Sequence, residues 1–362
     1  MTSLVAIGSW VTENESLLSG LAAMIVLFGV VLSPLGMATR RLFRRDADSR
    51  DASIPVGYDP ARSSDAGPPV APRLTLKALT APSIHPTRFA TSDGARIAYN
   101  ERGSGPLALV VAPGILSHLN VMDALPATRG TLDALAGFAR VVTFDKRGQG
   151  LSDPTLRAPD LEQRSRDIAA VMDAAGLDRA FLLGFSEGGP MCVHFASLHP
   201  ERVRGLILVG TAARFLQSEA YPIGIPRRAL EAVVDGWGRG SLRPVLMPSI
   251  SREVLDDETY VAMERLIGPR ETVRQLIAMM IETDVRSLLP AVRVPAMVLH
   301  FTGDLAIPIR LGRALAEGLP KAEFVEVNAV DHGDLSQSTV AIERIRRFCE
   351  QADLEADGSA AP

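Results

Sequence analysis

"LLGFSEGGPM", residues 182–191, closes an apolar run with a serine set among glycines. Gly184-Phe185-Ser186-Glu187-Gly188 fits the pattern G-x-S-x-G, which carries meaning where a strand turns sharply into a helix. That context is legible here. "AFLLGF" (180–185) is a continuous apolar run of strand length, and the segment from Gly188 through His199 reads as a helix. Such a helix aims its N-terminal amides and partial positive charge at the serine hydroxyl. The competing interpretation is a strand ending and a helix beginning for packing alone. Partners elsewhere in the chain decide between them.

A serine hydroxyl is a weak nucleophile near neutral pH, so it needs a base and a group that orients the base. "VLHFTGDLAIP" (298–308) places Asp304 just past an apolar strand, and "VEVNAVDHGDL" (325–335) places His332 just past the next. Residues beyond the C-terminal ends of parallel strands collect at one edge of a sheet. The expected roles are Ser186 as nucleophile, His332 as general base and then acid, and Asp304 as the support of the imidazolium. A Gly-Asp pair after a strand is also a common turn. Asp331 and Asp334 flank His332 as alternative acids, but a sequence neighbour is badly placed to reach the far ring nitrogen. Of the six histidines, His194 and His199 read as local packing after Ser186, while His118 follows the "APGILSH" loop (112–118) toward the pocket. A tetrahedral oxyanion needs preorganised N–H donors. The backbone amides of Glu187 and of Ile115, after Pro113-Gly114, are expected to supply them, with little demand on either side chain.

Other apolar runs repeat the strand signal: "LALVVAPG" (107–114), "ARVVTFDKRG" (139–148), "VRGLILVG" (203–210), "PAMVLHF" (295–301) and "AEFVEV" (322–327). "TRFATSDGARIAYNERG" (87–103) gives two more strands about a Ser-Asp-Gly turn. Helical segments separate most of these, such as "DLEQRSRDIAAVMDAAG" (160–176), with Leu161, Ile168, Val171 and Met172 on one face. The alternation predicts an α/β fold, a mostly parallel sheet flanked by helices. Over about 213–290 the strand rhythm stops, and "RRALEAVVDGWG", "EVLDDETYVAMERLIG" and "ETVRQLIAMMIE" predict a helical cap insertion.

From about Pro86 to Phe348 the sequence resembles the α/β-hydrolase fold superfamily. The resemblance rests on "FDKRGQGLSD" (144–153), "GFSEGGPM", "HPERVRGLILVG", "VPAMVLHFTGD" and "DH", all in the expected order. The forms "PGILSHL", "DKRGQGLSD" and "SEGGPM" are most similar to a bacterial branch whose members often precede a nucleotide-cyclase domain; none is expected after Phe348. The resemblance implies the triad Ser186, Asp304, His332 in that chain order. It argues against haloalkane and epoxide hydrolysis, since those relatives carry Asp at the position of Ser186. Many members have His-Gly in the oxyanion loop where this chain has Pro113-Gly114. Asp145 and Arg147 read as a hydrogen-bonded turn bracing the sheet edge.

The chain has 362 residues, 47% hydrophobic, with formal charge −4 and no basic stripe, which argues against a nucleic-acid partner. Cys192 and Cys349 lie far apart and suggest neither a zinc site nor a disulfide framework; no metal or organic cofactor is called for. Residues 17–38 run for 22 residues without a charge, about 33 Å as a helix, and so are expected to span a membrane. Arg40, Arg41, Arg44 and Arg45 follow, whereas Glu13 and Glu15 precede, so the body is expected on the cytoplasmic side. Residues 1–16 read as an N-terminal segment, 39–81 as a Pro- and Ser-rich linker, 82–352 as the hydrolase domain, and 353–362 as a disordered tail. These features predict a membrane-tethered serine hydrolase acting through an acyl-enzyme on an apolar or lipid-like carboxylic ester. The same triad serves C–C bond hydrolysis or perhydrolysis. A non-catalytic binding or signalling module on the same fold is the alternative of another class.

Overall fold

The computed structural model describes residues 73–115, 117–336 and 338–358. The membrane helix expected over 17–38 lies outside the described residues, as does the linker through residue 72. Among the described residues, no helix is long and apolar enough to cross a membrane.

The chain begins with helix α1 (Leu76–Thr80), then strands β1 (Arg88–Ser92), β2 (Ala95–Arg102) and β3 (Leu107–Ala112). Helices α2 (Leu119–Ala124) and α3 (Pro126–Ala136) lead to β4 (Ala139–Phe144), α4 (Leu161–Ala174) and β5 (Ala180–Phe185). Helix α5 (Gly189–Leu198) and β6 (Val203–Val209) precede the insertion, which holds α6 (Arg227–Gly236), α7 (Arg243–Leu246), α8 (Asp257–Ile267) and α9 (Arg270–Glu282). Strand β7 (Ala296–Phe301), α10 (Ile309–Gly318), β8 (Ala322–Val327) and α11 (Thr339–Gly358) complete the described chain.

The eight strands form one sheet in the order β1-β2-β4-β3-β5-β6-β7-β8. β2 runs antiparallel to its neighbours, β1 and β4, and every other pairing is parallel. Strand side chains alternate between faces, and here both faces are covered. Leu182, Leu206 and Val298 join Ile168 and Met172 of α4 and Phe195 of α5 on one side. Phe181, Leu183, Ile207 and Leu299 join Leu132 and Leu135 of α3 and Ile345 of α11 on the other. That double burial explains why these strands are continuous apolar runs. Helix α4 starts where the Asp160 carboxylate accepts from the Gln163 amide at 2.8 Å, and it stops before Gly176 at φ 66°.

The insertion's apolar residues Leu230, Trp237, Tyr260, Met263, Val273 and Ile277 are buried in one cluster that also takes in Val121 of α2 and Leu311 of α10. Two expectations need correction at the edges. The linker does not run to Ala81: Leu74 and Leu79 are buried in the same cluster, and the Leu74 amide donates to Val254 at 2.7 Å. A single helical turn carries no periodicity of its own, so only the surface it covers reveals it. The tail expected from 353 is helical through Gly358, with Ala352 buried and Asp353 paired with Arg204. Its polar composition reflects a solvated helix face.

Where β5 passes into α5, three glycines allow a close approach. A Cβ on Gly184 would stand 2.7 Å from Gly189 Cα, and one on Gly188 would stand 2.3 Å from the Ala112 carbonyl at the end of β3. Neither obstacle is a movable side chain. Gly188→Ala is therefore expected to destabilise the domain by at least about 1–3 kcal/mol, read as a lower urea midpoint with an unchanged m-value.

Candidate active site

Ser186 caps the central strand. Its φ of 51° is one of only two positive values at non-glycine positions among the described residues. Such a conformation costs of order 1–3 kcal/mol and persists only where the surroundings enforce it. Here the flanking elements do so: the Thr211 hydroxyl, just past β6, donates to the Ser186 carbonyl, and α5 leaves immediately behind. The result lifts the side chain above the C-terminal edge of the sheet, where Ser186 is 6% exposed.

The loops after β7 and β8 bring Asp304 and His332 to the same point. His332 Nε2 lies 2.8 Å from Ser186 Oγ, and His332 Nδ1 lies 2.7 Å from Asp304 Oδ2. An ionised carboxylate only accepts, so the ring proton sits on Nδ1 and Nε2 accepts from the serine hydroxyl. Asp304 Oδ1 is filled by the amides of Ala306, at 2.8 Å, and Ile307, at 3.0 Å. Burial works to raise the Asp304 pKa, but the His332 ring and the Ile307 amide outweigh it and hold the carboxyl below its ordinary value. His300, wholly buried on β7, donates from Nε2 to the Ile307 carbonyl at 2.7 Å and so braces the same loop. The Phe185 ring lies 5.1 Å from that of His332.

The Pro113-Gly114-Ile115 loop runs beside the nucleophile. A Cβ on Gly114 would come within 2.8 Å of Ser186 Cβ, so only glycine lets the backbone pass there. The Ile115 carbonyl accepts from the Ser117 amide at 3.2 Å and from Gln149 at 3.4 Å. Ser117 Oγ in turn accepts from the Lys146 amide at 2.9 Å. The segment around Lys146 thus fixes the loop that carries the Ile115 amide.

The Glu187 side chain has a larger part than its backbone role implied. Its carboxylate accepts from both Lys146 and Arg164, and all three side chains are 2% exposed. Burial opposes the Glu187 charge, yet Arg164 and Lys146 together hold its carboxyl below the usual range. Burial pulls the Lys146 ammonium down to about 8 and pushes the Asp145 carboxyl up to about 7. Lys146 and Glu187 each stand two residues past an apolar strand, β4 and β5, and that placement was the sequence signal for this cluster. Its third member, Arg164, sits on α4 among surface-like charges and offered none.

The remaining candidates have structural partners. Arg147 donates to Asp167 at 2.6 Å and to the Ser92 carbonyl at 2.8 Å, while Asp145 accepts from the Leu151 amide at 2.8 Å. Both brace the sheet edge. Asp331 faces Ser249 of the cap, Asp334 accepts from the Ser336 amide at 2.8 Å, and neither contacts the His332 ring nitrogens among the described bonds. His194 pairs with Ser165 at 2.7 Å, His199 is exposed, and His118 is partly buried at the start of α2 with no side-chain cap bond. Cys192 is wholly buried in the core.

A family model described as alpha/beta hydrolase fold matches residues 108–253, and one described as TAP-like protein matches residues 281–361. The chain is 30% identical over 182 residues to a pimeloyl-[acyl-carrier protein] methyl ester esterase of Chromobacterium violaceum, covering 48% of this chain and 72% of that one. It is 26% identical over 245 residues to a 2-hydroxy-6-oxononadienedioate/2-hydroxy-6-oxononatrienedioate hydrolase of Paraburkholderia phymatum, covering 63% and 82%. Among solved structures, an esterase from Exiguobacterium antarcticum superposes with a TM-score of 0.64 at 23% identity, covering 72% of this chain and 98% of that one.

Proposed function

The chain belongs to the α/β-hydrolase superfamily, and from that premise we propose that this enzyme is a serine hydrolase that cleaves carboxylic esters through an acyl-enzyme. The observation that carries the proposal is the unbroken hydrogen-bonded line from Ser186 Oγ through His332 to Asp304. In the first half-reaction, Ser186 Oγ attacks the ester carbonyl as its proton passes to His332 Nε2. Asp304 stabilises the imidazolium, and the amides of Ile115 and Glu187 receive the oxyanion. The imidazolium then protonates the leaving alkoxide. Water, deprotonated by the same nitrogen, releases the acid and restores Ser186. The methyl ester esterase among its relatives favours an ester over other acyl substrates. The test is labelling with a fluorophosphonate: wild type should label and Ser186→Ala should not. An unlabelled wild type defeats the proposal. A chain-length series of p-nitrophenyl esters then measures the acyl pocket.

The same proposal places the enzyme at a membrane, held by residues 17–38 with the catalytic domain on the cytoplasmic side. The uncharged run and the arginines after it support this. Deleting residues 1–45 should move the protein from a carbonate-washed membrane pellet to the supernatant. Full-length protein found in that supernatant would remove the tether.

A further inference from the structure

The loop that carries His332 is held from two sides. On the sheet side are Asp304, at His332 Nδ1, and the Phe185 ring. On the other side is the cap. The His332 amide donates to the carbonyl of Leu246, the last residue of α7, at 2.9 Å. The neighbouring Asp331 carboxylate accepts from the Ser249 amide at 2.8 Å through Oδ1 and from the Ser249 hydroxyl through Oδ2. Three hydrogen bonds therefore join two consecutive residues of the base loop to one four-residue stretch of the cap, residues 246–249. The cap stretch is itself braced by hydrogen bonds. Arg243 donates to the Ile250 carbonyl at 2.7 Å and to Asp257 at 2.9 Å, and the Met247 amide returns to Arg243 at 2.8 Å. Asp331 is 6% exposed, whereas Ser249 lies at the surface.

We infer that Asp331 is a positioning residue, clasping the cap through Ser249 so that His332 is aligned with Ser186 only while the cap is seated. The inference rests on the serine-hydrolase reading given above. A carboxylate gripping an amide and a hydroxyl at once makes two charge-assisted bonds with fixed directions. It therefore holds one arrangement of the cap stretch against the loop. Lifting the cap at Leu246–Ser249 breaks these bonds and the Leu246–His332 bond together, which frees the main chain of the base. Entry of substrate under the cap and readiness of the base are thereby one equilibrium. Ser249 touches the base loop from the surface, so trimming its hydroxyl alters the clasp without disturbing a core.

The experiment measures kcat and KM for a p-nitrophenyl ester, and the second-order rate of fluorophosphonate labelling, in the full chain. The variants are Ser249→Ala, Ser249→Thr, Asp331→Asn and the double Ser249→Ala/Asp331→Asn. Displacing a catalytic group by a fraction of an ångström is costly in rate. Ser249→Ala and Asp331→Asn should each lower kcat and the labelling rate about 10- to 100-fold, with KM changed less than about threefold. Ser249→Thr, which keeps the hydroxyl, should restore most of both rates. The double variant should be no slower than the slower single one, because both break the same clasp. A labelled wild type whose Ser249→Ala variant keeps its rate, or single losses that multiply in the double variant, overturns the clasp alone. An unlabelled wild type overturns the serine-hydrolase reading and the clasp with it.

Discussion

Ser186→Ala is expected to lower kcat for a p-nitrophenyl ester by about 10⁴- to 10⁶-fold, measured by steady-state kinetics on protein free of contaminating esterase. The size follows from the geometry. Ser186 Oγ meets His332 Nε2 at 2.8 Å, and in the proposed mechanism it is the atom that attacks the ester carbonyl. Because the three residues act as a unit, adding His332→Ala to Ser186→Ala should cost less than about tenfold more. A second readout separates the chemistry from folding. At φ 51° both serine and alanine are strained, so Ser186→Ala should leave the unfolding midpoint almost unchanged. Ser186→Gly, equally inactive, should gain about 1 kcal/mol of stability by releasing that strain. An alanine variant that retained a tenth of wild-type kcat would show that the nucleophile lies elsewhere.

Glu187→Gln is expected to destabilise the domain by about 3–5 kcal/mol, whereas Lys146→Met should change stability by less than about 1.5 kcal/mol. Both substitutions remove one buried charge from the same cluster, and the count decides the difference. In the native protein two cations share one carboxylate in a site where every member is 2% exposed. Losing the carboxylate charge leaves the Lys146 and Arg164 cations buried with only a neutral amide between them. Losing the lysine leaves Arg164 and Glu187 as a one-to-one pair, with a methionine filling the space of the lysine stem. The pH dependence has a definite sign. Burial already depresses the Lys146 ammonium to about 8, and removing Glu187 depresses it further. Between the variant's lowered value and the wild-type value of about 8 the folded variant binds fewer protons than the folded wild type, so the variant's stability rises more steeply with pH. The deficit of Glu187→Gln should therefore narrow between pH 7 and 9 in urea unfolding curves. An equal loss in both variants would show that the cluster is held by packing and not by charge balance.

The two predictions differ in how far the sequence anticipates them. The run "AFLLGF" and its glycines encode a buried strand and a sharp turn through local sterics and period-two burial, both of which act within a few residues. Asp304 and His332 are legible for a related reason: each follows an apolar strand, and parallel strands deliver their C-terminal ends to one edge whatever lies between. The cap helices show their apolar stripes over three turns. The short helix at Leu76–Thr80 does not, since one turn cannot display a period.

What the sequence determined by itself was therefore the sheet, the turn at Ser186 and the order of the residues beside it, because these depend on neighbours a few positions apart. The tertiary structure decided what surrounds them. Glu187 meets Lys146 and Arg164 from two other segments, 41 and 23 positions away, and Asp331 meets Ser249 of the cap, 82 positions away. A charged side chain carries no mark of its partner in the sequence. Whether it is solvated, buried in a cluster or set as a clasp depends on which distant segment covers it, and that is known only once the chain has folded.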